Sequence, residues 1–548
     1  MTVRVTLPSG QSVSVPRGTE LRAVLTGLTA ELPIGARVNN RLECLSGRVE
    51  HDSIVRPVGT GSREGRMIYR HSLCYILALA SSRLFRERRL VIGHSLGNGF
   101  FYSFEGFEEV TADEVRAIKA EMRSLVEQNL RIDCDLLEHT QAVERFRRLN
   151  QPNTVLLLEH ANRPSYRVSV CAGYVDLYHG PLAPSTGLLS CFDVMAYQQG
   201  FLLRYPPKED PDCLVPFADN PVLFTTYREY KQWGKILQVA SVGQLNDLIT
   251  RRAVSEFVQV AEALQEKKIA RIADQIAERR DEVKLVLIAG PSSSGKTTFS
   301  KKLSIQLRVV GRNPVAVSLD DYFVSRELTP KDEGGQYDFE ALEAIDVPLL
   351  NEHLMRLFAG EEVETPTFDF KAGSRAAKSK RLRLPDRAVL ILEGIHGLND
   401  RLTHLIPRTW KHMIYVSALT QLNLDDHNRI STTDNRLIRR MVRDYEYRGH
   451  SPTRTLTMWD SVLRGEDRNI FPFQNSADSA FNSALDYELA VLKVYAEPLL
   501  HMVRPDEEQY AEAGRLLDFL ANIGSIPSHV VPESSILREF IGGSVFRY

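Results

Sequence analysis

The string Gly290-Pro291-Ser292-Ser293-Ser294-Gly295-Lys296-Thr297 constrains this 548-residue chain more than any other feature. It follows an apolar run, Val283 to Ala289, and precedes a helix-compatible stretch, Phe299 to Val309. In a GxxxxGK[ST] string the glycines let backbone N–H groups face a β-phosphate, Lys296 reaches the β/γ oxygens, and the Thr297 hydroxyl can ligate Mg²⁺. Average composition yields such a string in a chain this long about two times in a hundred. A strand before it and a helix after it are the context the motif needs.

The surrounding pattern agrees. Apolar runs at Leu285 to Ala289, Val315 to Leu319, Val389 to Leu392 and Met413 to Val416 alternate with helical segments, which predicts a parallel sheet covered by helices over 283–505, then an extension over 506–548. Residues 1–60 read as a small β-rich module, with strands at Val3 to Leu7 and Ser12 to Val15 and a short helix capped by Thr19. Over 61–225, helices (Ser72 to Arg88, Ala112 to Asn129) mix with strands (Thr154 to Leu158, Tyr166 to Val170), an α+β pattern. Prolines 206, 207, 211, 216 and 221 mark a boundary, and 226–282 reads as an amphipathic helical linker.

Charge and cysteine usage exclude several classes. Lys plus Arg 68 against Asp plus Glu 70 leaves −2, which argues against a general nucleic-acid coat. Six cysteines without a CxxC pair fit reduced thiols rather than a disulfide framework or zinc ribbon. No apolar run approaches the ~18 residues of a membrane span, and Met1 to Pro8 alternates like a strand rather than a signal peptide, so the expectation is a cytoplasmic chain with no membrane contact.

Three clusters stand where ligands bind in open α/β sheets, at the ends of later strands. Asp320 and Asp321 end the second strand, and Glu393 ends another, suited to Mg²⁺ or its waters. Arg436, Arg439, Arg440, Arg443 and Arg448 recur at helical steps, forming either a guanidinium strip that closes over a triphosphate or a solvated basic face.

These residues carry a resemblance. Residues 283 to about 500 resemble the uridine kinase and phosphoribulokinase group of P-loop kinases through GPSSSGKTT, Leu319-Asp320-Asp321-Tyr322-Phe323, the segment Val363 to Phe370 ending in Ser374-Arg375, LILEGI from Leu390, and the arginine string Arg436 to Asp444. The resemblance implies ATP-dependent phosphorylation of a nucleoside 5′-hydroxyl. Gly290, Pro291, Ser292, Ser293, Ser294, Gly295, Lys296, Thr297 and Thr298 would bind ATP, with Thr297 and Glu393 on Mg²⁺. Asp320 would accept the hydroxyl proton, with Lys296, Arg440, Arg443 and Arg448 assisting transfer; Asp320, Tyr322, Glu340, Phe368, Phe370, Arg375 and His450 would face the acceptor. The departures lie on the acceptor side: Phe368, Gly373, His450 and Glu340 stand where the group usually has Tyr, His, Arg and Asp. A phosphoribulokinase-like kinase of another small alcohol is the alternative within the class. Outside it stands an RNA- or ribosome-associated regulator with a P-loop switch, which has no use for Asp320 as a base.

Residues 1 to about 225 resemble the front of threonyl-tRNA synthetase, a TGS-type β-grasp module followed by an editing-type domain. The carrying strings are Arg37 to Leu42, His71 to Tyr75, Ile92-Gly93 with Gly99 to Tyr102, and Val175 to Pro181. The metal-type positions of that domain read His71, Tyr75, Tyr178 and Leu182, which cannot close a Zn²⁺ shell, so no zinc is expected. Cys74 and His179 are expected to point elsewhere. Three roles stay open for this region: RNA binding, small-molecule sensing that gates the kinase, or packing.

Overall fold

The computed structural model describes residues 1–548 except 30, 31, 107, 108, 332–334, 336, 370, 371, 377 and 378, and the side chain of 235. Val3 and Val5 are buried on strand Thr2–Thr6 while Thr2 and Arg4 face water, the period of two expected of a half-buried strand. Its sheet runs Ser12–Pro16, Thr2–Thr6, Ser53–Val58, Gly35–Val38, Arg41–Glu43, with the Thr2–Thr6 and Ser53–Val58 pair parallel. Helix Leu21–Thr26 covers it through Leu21, Val24 and Leu25. Thr19 does not cap that helix: it lies in a two-residue strand and its hydroxyl donates to the Pro16 carbonyl at 2.6 Å, while Glu20 at the N-cap makes no side-chain capping bond and pairs with Arg131 instead.

The next unit packs helices Arg63–Leu84 and Ala112–Glu127 on a four-stranded sheet (Asp193–Tyr197, Gly200–Arg204, Gly99–Phe104, Leu90–Ser95), beside a three-stranded sheet of Asp133–Glu138, Ser165–Cys171 and Tyr174–Leu177. The long helix starts before the expected Ser72, because the Ser62 hydroxyl accepts from the Gly65 N–H at 3.0 Å. Thr154 to Leu158, expected as a strand, is helix Pro152–Glu159. Pro152 occupies its first turn, where a missing N–H costs nothing, and a short apolar run carries no period to separate the two states.

The proline-dense stretch carries no helix or strand until Pro221, after which helices Pro221–Leu237, Val242–Thr250 and Val254–Glu278 follow. These helices do more than connect. Phe257, Val258, Ile269 and Ile276 share one core with Phe299, Leu303 and Leu307 of helix Lys296–Val309, and Val242 and Leu245 share it with Phe146 and Val155 of the front half.

The parallel sheet runs Asn313–Ser318, Ala388–Glu393, Leu285–Ala289, Lys411–Ser417, Ser479–Asn482, every pair parallel. The edge strand Ser479–Asn482 had no sequence signal. Beyond 505, helix Tyr510–Leu520 joins the same core, and Ile536, Leu537 and Phe540 are fully buried, which returns the chain to the loop at 290–297. Among the described residues no helix is long and apolar enough to cross a membrane.

Candidate active site

Strand Leu285–Ala289 ends at Gly290, where a Cβ would lie 1.9 Å from the Val416 carbonyl oxygen, so only glycine lets the loop leave the sheet here. Ser293 and Gly295 then take positive φ, 58° and 79°, and the helix begins at Lys296 with no side-chain cap. The loop is held from outside. Ser292 N–H donates to Glu466 at 3.0 Å, Arg436 donates to the Ser292 carbonyl at 3.0 Å while pairing with Glu466, and Arg439 donates to the Ser293 carbonyl at 3.3 Å.

Inside the loop, the Lys296 ammonium donates to the Pro291 carbonyl at 3.1 Å, and burial pushes its pKa down against the pull of Glu393. The Thr297 hydroxyl donates to both oxygens of Glu393, at 3.1 and 3.3 Å. Burial lifts the Glu393 carboxyl to about 7 although Lys296 opposes it, and burial also raises Asp320 against Lys296. Three strand ends thus bring one ammonium, one hydroxyl and two carboxyls together. Hard oxygen donors with unmet negative charge fit Mg²⁺ at Thr297 and Glu393.

The arginine strip divides. Arg436 and Arg439 are buried, and Arg439 pairs with Glu488 and donates to the Ser483 carbonyl at 2.9 Å, so both brace the loop. Arg440, Arg443 and Arg448 gather on the fully buried Asp444 at 3.1, 3.4 and 3.4 Å, and Arg440 also donates to the Ser292 hydroxyl at 2.8 Å. Thr298 is taken by Glu539, whose carboxylate accepts from its N–H at 3.2 Å and its hydroxyl at 2.6 Å.

On the acceptor side, Glu340 is lifted to about 7 by burial and the neighbouring Glu466. Tyr322 is 1% exposed with its hydroxyl on His353 at 3.1 Å, and Arg375 pairs with Asp346 at 2.8 Å, so both act here as framework. Phe368 is largely buried against Phe323, at 5.6 Å, and Phe370 lies outside the described residues. His450 stands 3.8 Å from Asp444. The space over Gly373, where the resembled group has a His, is filled: the Arg326 guanidinium lies 2.8 to 3.0 Å from where a Cβ would sit, at φ +69°. Arg326, Glu466 and Glu539 had no sequence signal, because each reaches the site from a distant segment.

A second cleft lies at the front. A small cleft of about 30 Å³ is lined by His71, Cys74, Tyr75, Asp176, His179 and His427 among others. Cys74 and His179 therefore face it, contrary to expectation, while Tyr178 lies beneath the Arg167 guanidinium at 4.3 Å, because strand Tyr174–Leu177 ends before it. The Tyr75 hydroxyl is spent on the Tyr174 and Ser169 carbonyls at 3.1 and 3.3 Å. One wall is loop 423–430, which follows the parallel-sheet strand Lys411–Ser417: Asp425 holds His179 at 2.6 Å, Asp426 accepts from Thr154 N–H at 2.9 Å, and His427 pairs with Asp176 at 2.8 Å.

Residues 285–490 match the model of the Phosphoribulokinase / Uridine kinase family. The chain is also similar to the threonine–tRNA ligase of Symbiobacterium thermophilum, 31% identical over 206 residues (36% of this chain, 32% of that protein), and to that of Thermotoga maritima, 31% over 256 residues (44% and 39%). It thus spans about a third of the length of the curated relatives it matches. Among solved structures, a "Possible Uridine Kinase" from Bacillus stearothermophilus aligns at 19% identity over 39% of this chain and 98% of its own, TM-score 0.26. A D-glycerate 3-kinase from Cryptococcus neoformans aligns at 14% over 46% and 87%, TM-score 0.22. Residues 285–490 thus match the model of the phosphoribulokinase and uridine kinase family, behind a region similar to part of the threonine–tRNA ligases.

Proposed function

We propose that this chain is an ATP-dependent kinase that transfers the γ-phosphoryl group to a hydroxyl of a nucleoside or similar small acceptor. The observation that carries the reading is the convergence of Lys296, Thr297, Glu393 and Asp320, the two carboxyls and the ammonium close enough to shift one another's proton affinity. Lys296 binds β/γ oxygens, and the loop N–H groups orient the triphosphate. Thr297 and Glu393 would hold Mg²⁺, which would offset negative charge on the phosphates. Asp320 takes the acceptor's proton as its oxygen bonds to the γ-phosphorus and the bond to the ADP oxygen breaks. Arg440, Arg443 and Arg448, grouped on Asp444, face the charge that develops.

The reading divides the chain into a β-grasp module (1–60), an editing-type domain without its hydrolytic groups (61–225), helices (226–282), the kinase (283–505) and a returning extension (506–548), in the cytoplasm. Arg326 above Gly373 restores donors that the loss of a His removes, which suits an acceptor with carbonyl or anionic oxygens there.

ATP consumption measured against uridine, cytidine, adenosine, guanosine, inosine and simple sugars tests the reading. Lys296→Ala should weaken ATP handling as a whole, whereas Asp320→Asn should keep ATP binding and lose ~10²-fold in turnover. Equal loss of ATP affinity in both variants removes Asp320 from its role. Nucleosides consumed no faster than sugars move the acceptor to the small alcohols.

A further inference from the structure

The helix at Lys296 offers unmet backbone amides, because its N-cap is Gly295 and supplies no side chain. Such an end attracts an anion, and the chain delivers one of its own. Glu539 accepts from Thr298 at both N–H and hydroxyl, stands 3.9 Å from Arg443, and is among the carboxylates that act on Lys296. It therefore faces the groups assigned above to the triphosphate. Two neighbours strengthen the contact. The Tyr548 hydroxyl lies 2.8 Å from the Thr298 hydroxyl, and Ile536 presses on Gly295, 2.6 Å from where a Cβ would sit.

We propose that Glu539 and Tyr548 form a built-in plug that keeps nucleotide out of the phosphate loop until the Glu539 carboxylate swings away; this rests on the kinase reading. One N–H and one hydroxyl cannot serve a carboxylate and a phosphate oxygen at once, and two anions cannot share the space beside Lys296. The backbone that carries Glu539 is anchored, which leaves its side chain as the moving part. Ile536, Leu537 and Phe540 are fully buried, Phe540 lies under the Arg439 guanidinium at 4.9 Å, and Arg538 donates to the Ser528 and Val531 carbonyls at 2.9 and 2.6 Å. Beyond the anchor, Gly542 and Gly543 both take positive φ, 82° and 69°, and Tyr548 is 60% exposed. The anchor can stay docked while the Glu539 side chain and residues 544–548 move.

The test is the affinity of the full chain for ADP and for Mg·ATP by calorimetry, beside Glu539→Gln, Glu539→Ala and Tyr548→Phe. If the plugged state holds nine-tenths of the molecules, both Glu539 variants should bind about 10-fold tighter, and Tyr548→Phe should tighten binding by a smaller factor. Unchanged or weaker affinity in the Glu539 variants overturns the plug while leaving the kinase reading intact, provided the parent binds nucleotide. Failure of parent and variants alike, at the level of Lys296→Ala, overturns both. Should the Glu539 variants melt below the parent, Tyr548→Phe at an exposed position decides alone: tighter binding supports the plug, and unchanged binding removes it.

Discussion

Glu393 must carry its charge where there is little water to solvate it, and its behaviour with pH follows. Its carboxyl, ordinarily near 4.5, is lifted to about 7 by burial, with Lys296 pulling the other way. A carboxyl whose folded value is raised stabilises the fold while protonated in both states, and that contribution disappears as pH climbs through the folded value. The nucleotide-free protein should therefore lose up to about 3 kcal/mol between pH 4.5 and 7.5 from this residue. Glu340, also lifted to about 7, acts in the same sense. Calorimetric melts across that range should show Tm falling, and Glu393→Gln should flatten the fall while keeping an acceptor for the Thr297 hydroxyl. Added Mg·nucleotide should raise Tm most at the alkaline end, where the carboxylate is free to bind metal. A slope identical in parent and Glu393→Gln would mean that this carboxyl titrates normally. The residues of this cluster were readable because each sits in a short string at the end of an apolar run. Arg326, Glu466 and Glu539 were not, since no local pattern tells which distant side chain fills a gap.

At the scale of elements, helix Thr432–Arg448 shows how a regular spacing hides two different jobs. The three- and four-residue steps correctly put its arginines on a helix, yet five guanidiniums spread around more than one face. Arg439 is fully buried with Glu488, itself 1% exposed, so Arg439→Ala strands a charge and should cost about 3–5 kcal/mol, seen as a drop in Tm. Arg448 is half exposed beside Asp444, so Arg448→Ala should change stability by less than about 1 kcal/mol. Its turnover should nevertheless fall, by ~10²-fold if it meets charge developing on the transferring group. Equal thermal losses in the two variants would erase the distinction. The strand pattern of the kinase sheet was legible for the same reason that the helix was: long periodic or fully apolar runs leave few alternatives. Short segments were not, because Thr154 to Leu158 became a helix and Ser479–Asn482 joined the sheet through its partners rather than its own hydropathy.

Across the whole molecule, the front half grips the loop that leads into the arginine helix. Residues 423–430 enter the front cleft, where Asp425, Asp426 and His427 meet His179, Thr154 with Arg89, and Asp176. Nothing in the sequence joins these segments, and only the folded chain shows that the front cleft, expected to hold no zinc, is walled by loop 423–430. Burial alone would lower the His427 pKa, but the Asp176 carboxylate outweighs it and lifts the imidazole to about 9. A histidine raised in this way adds stability that is complete below about 6.5 and vanishes as pH rises through 9. The grip should loosen between pH 8 and 10, read as faster hydrogen exchange of 419–431 after correction for intrinsic rates. Asp176→Asn should bring that faster exchange to pH 7 and abolish its pH dependence, because His427 then has lost its principal counter-charge. If the grip also sets the arginine helix, the variant should lose kcat while its KM for ATP stays within about 2-fold, as expected when an interaction made in the transition state is lost. Exchange and turnover both unchanged in Asp176→Asn would leave the front half a neighbour of the kinase rather than a support for it.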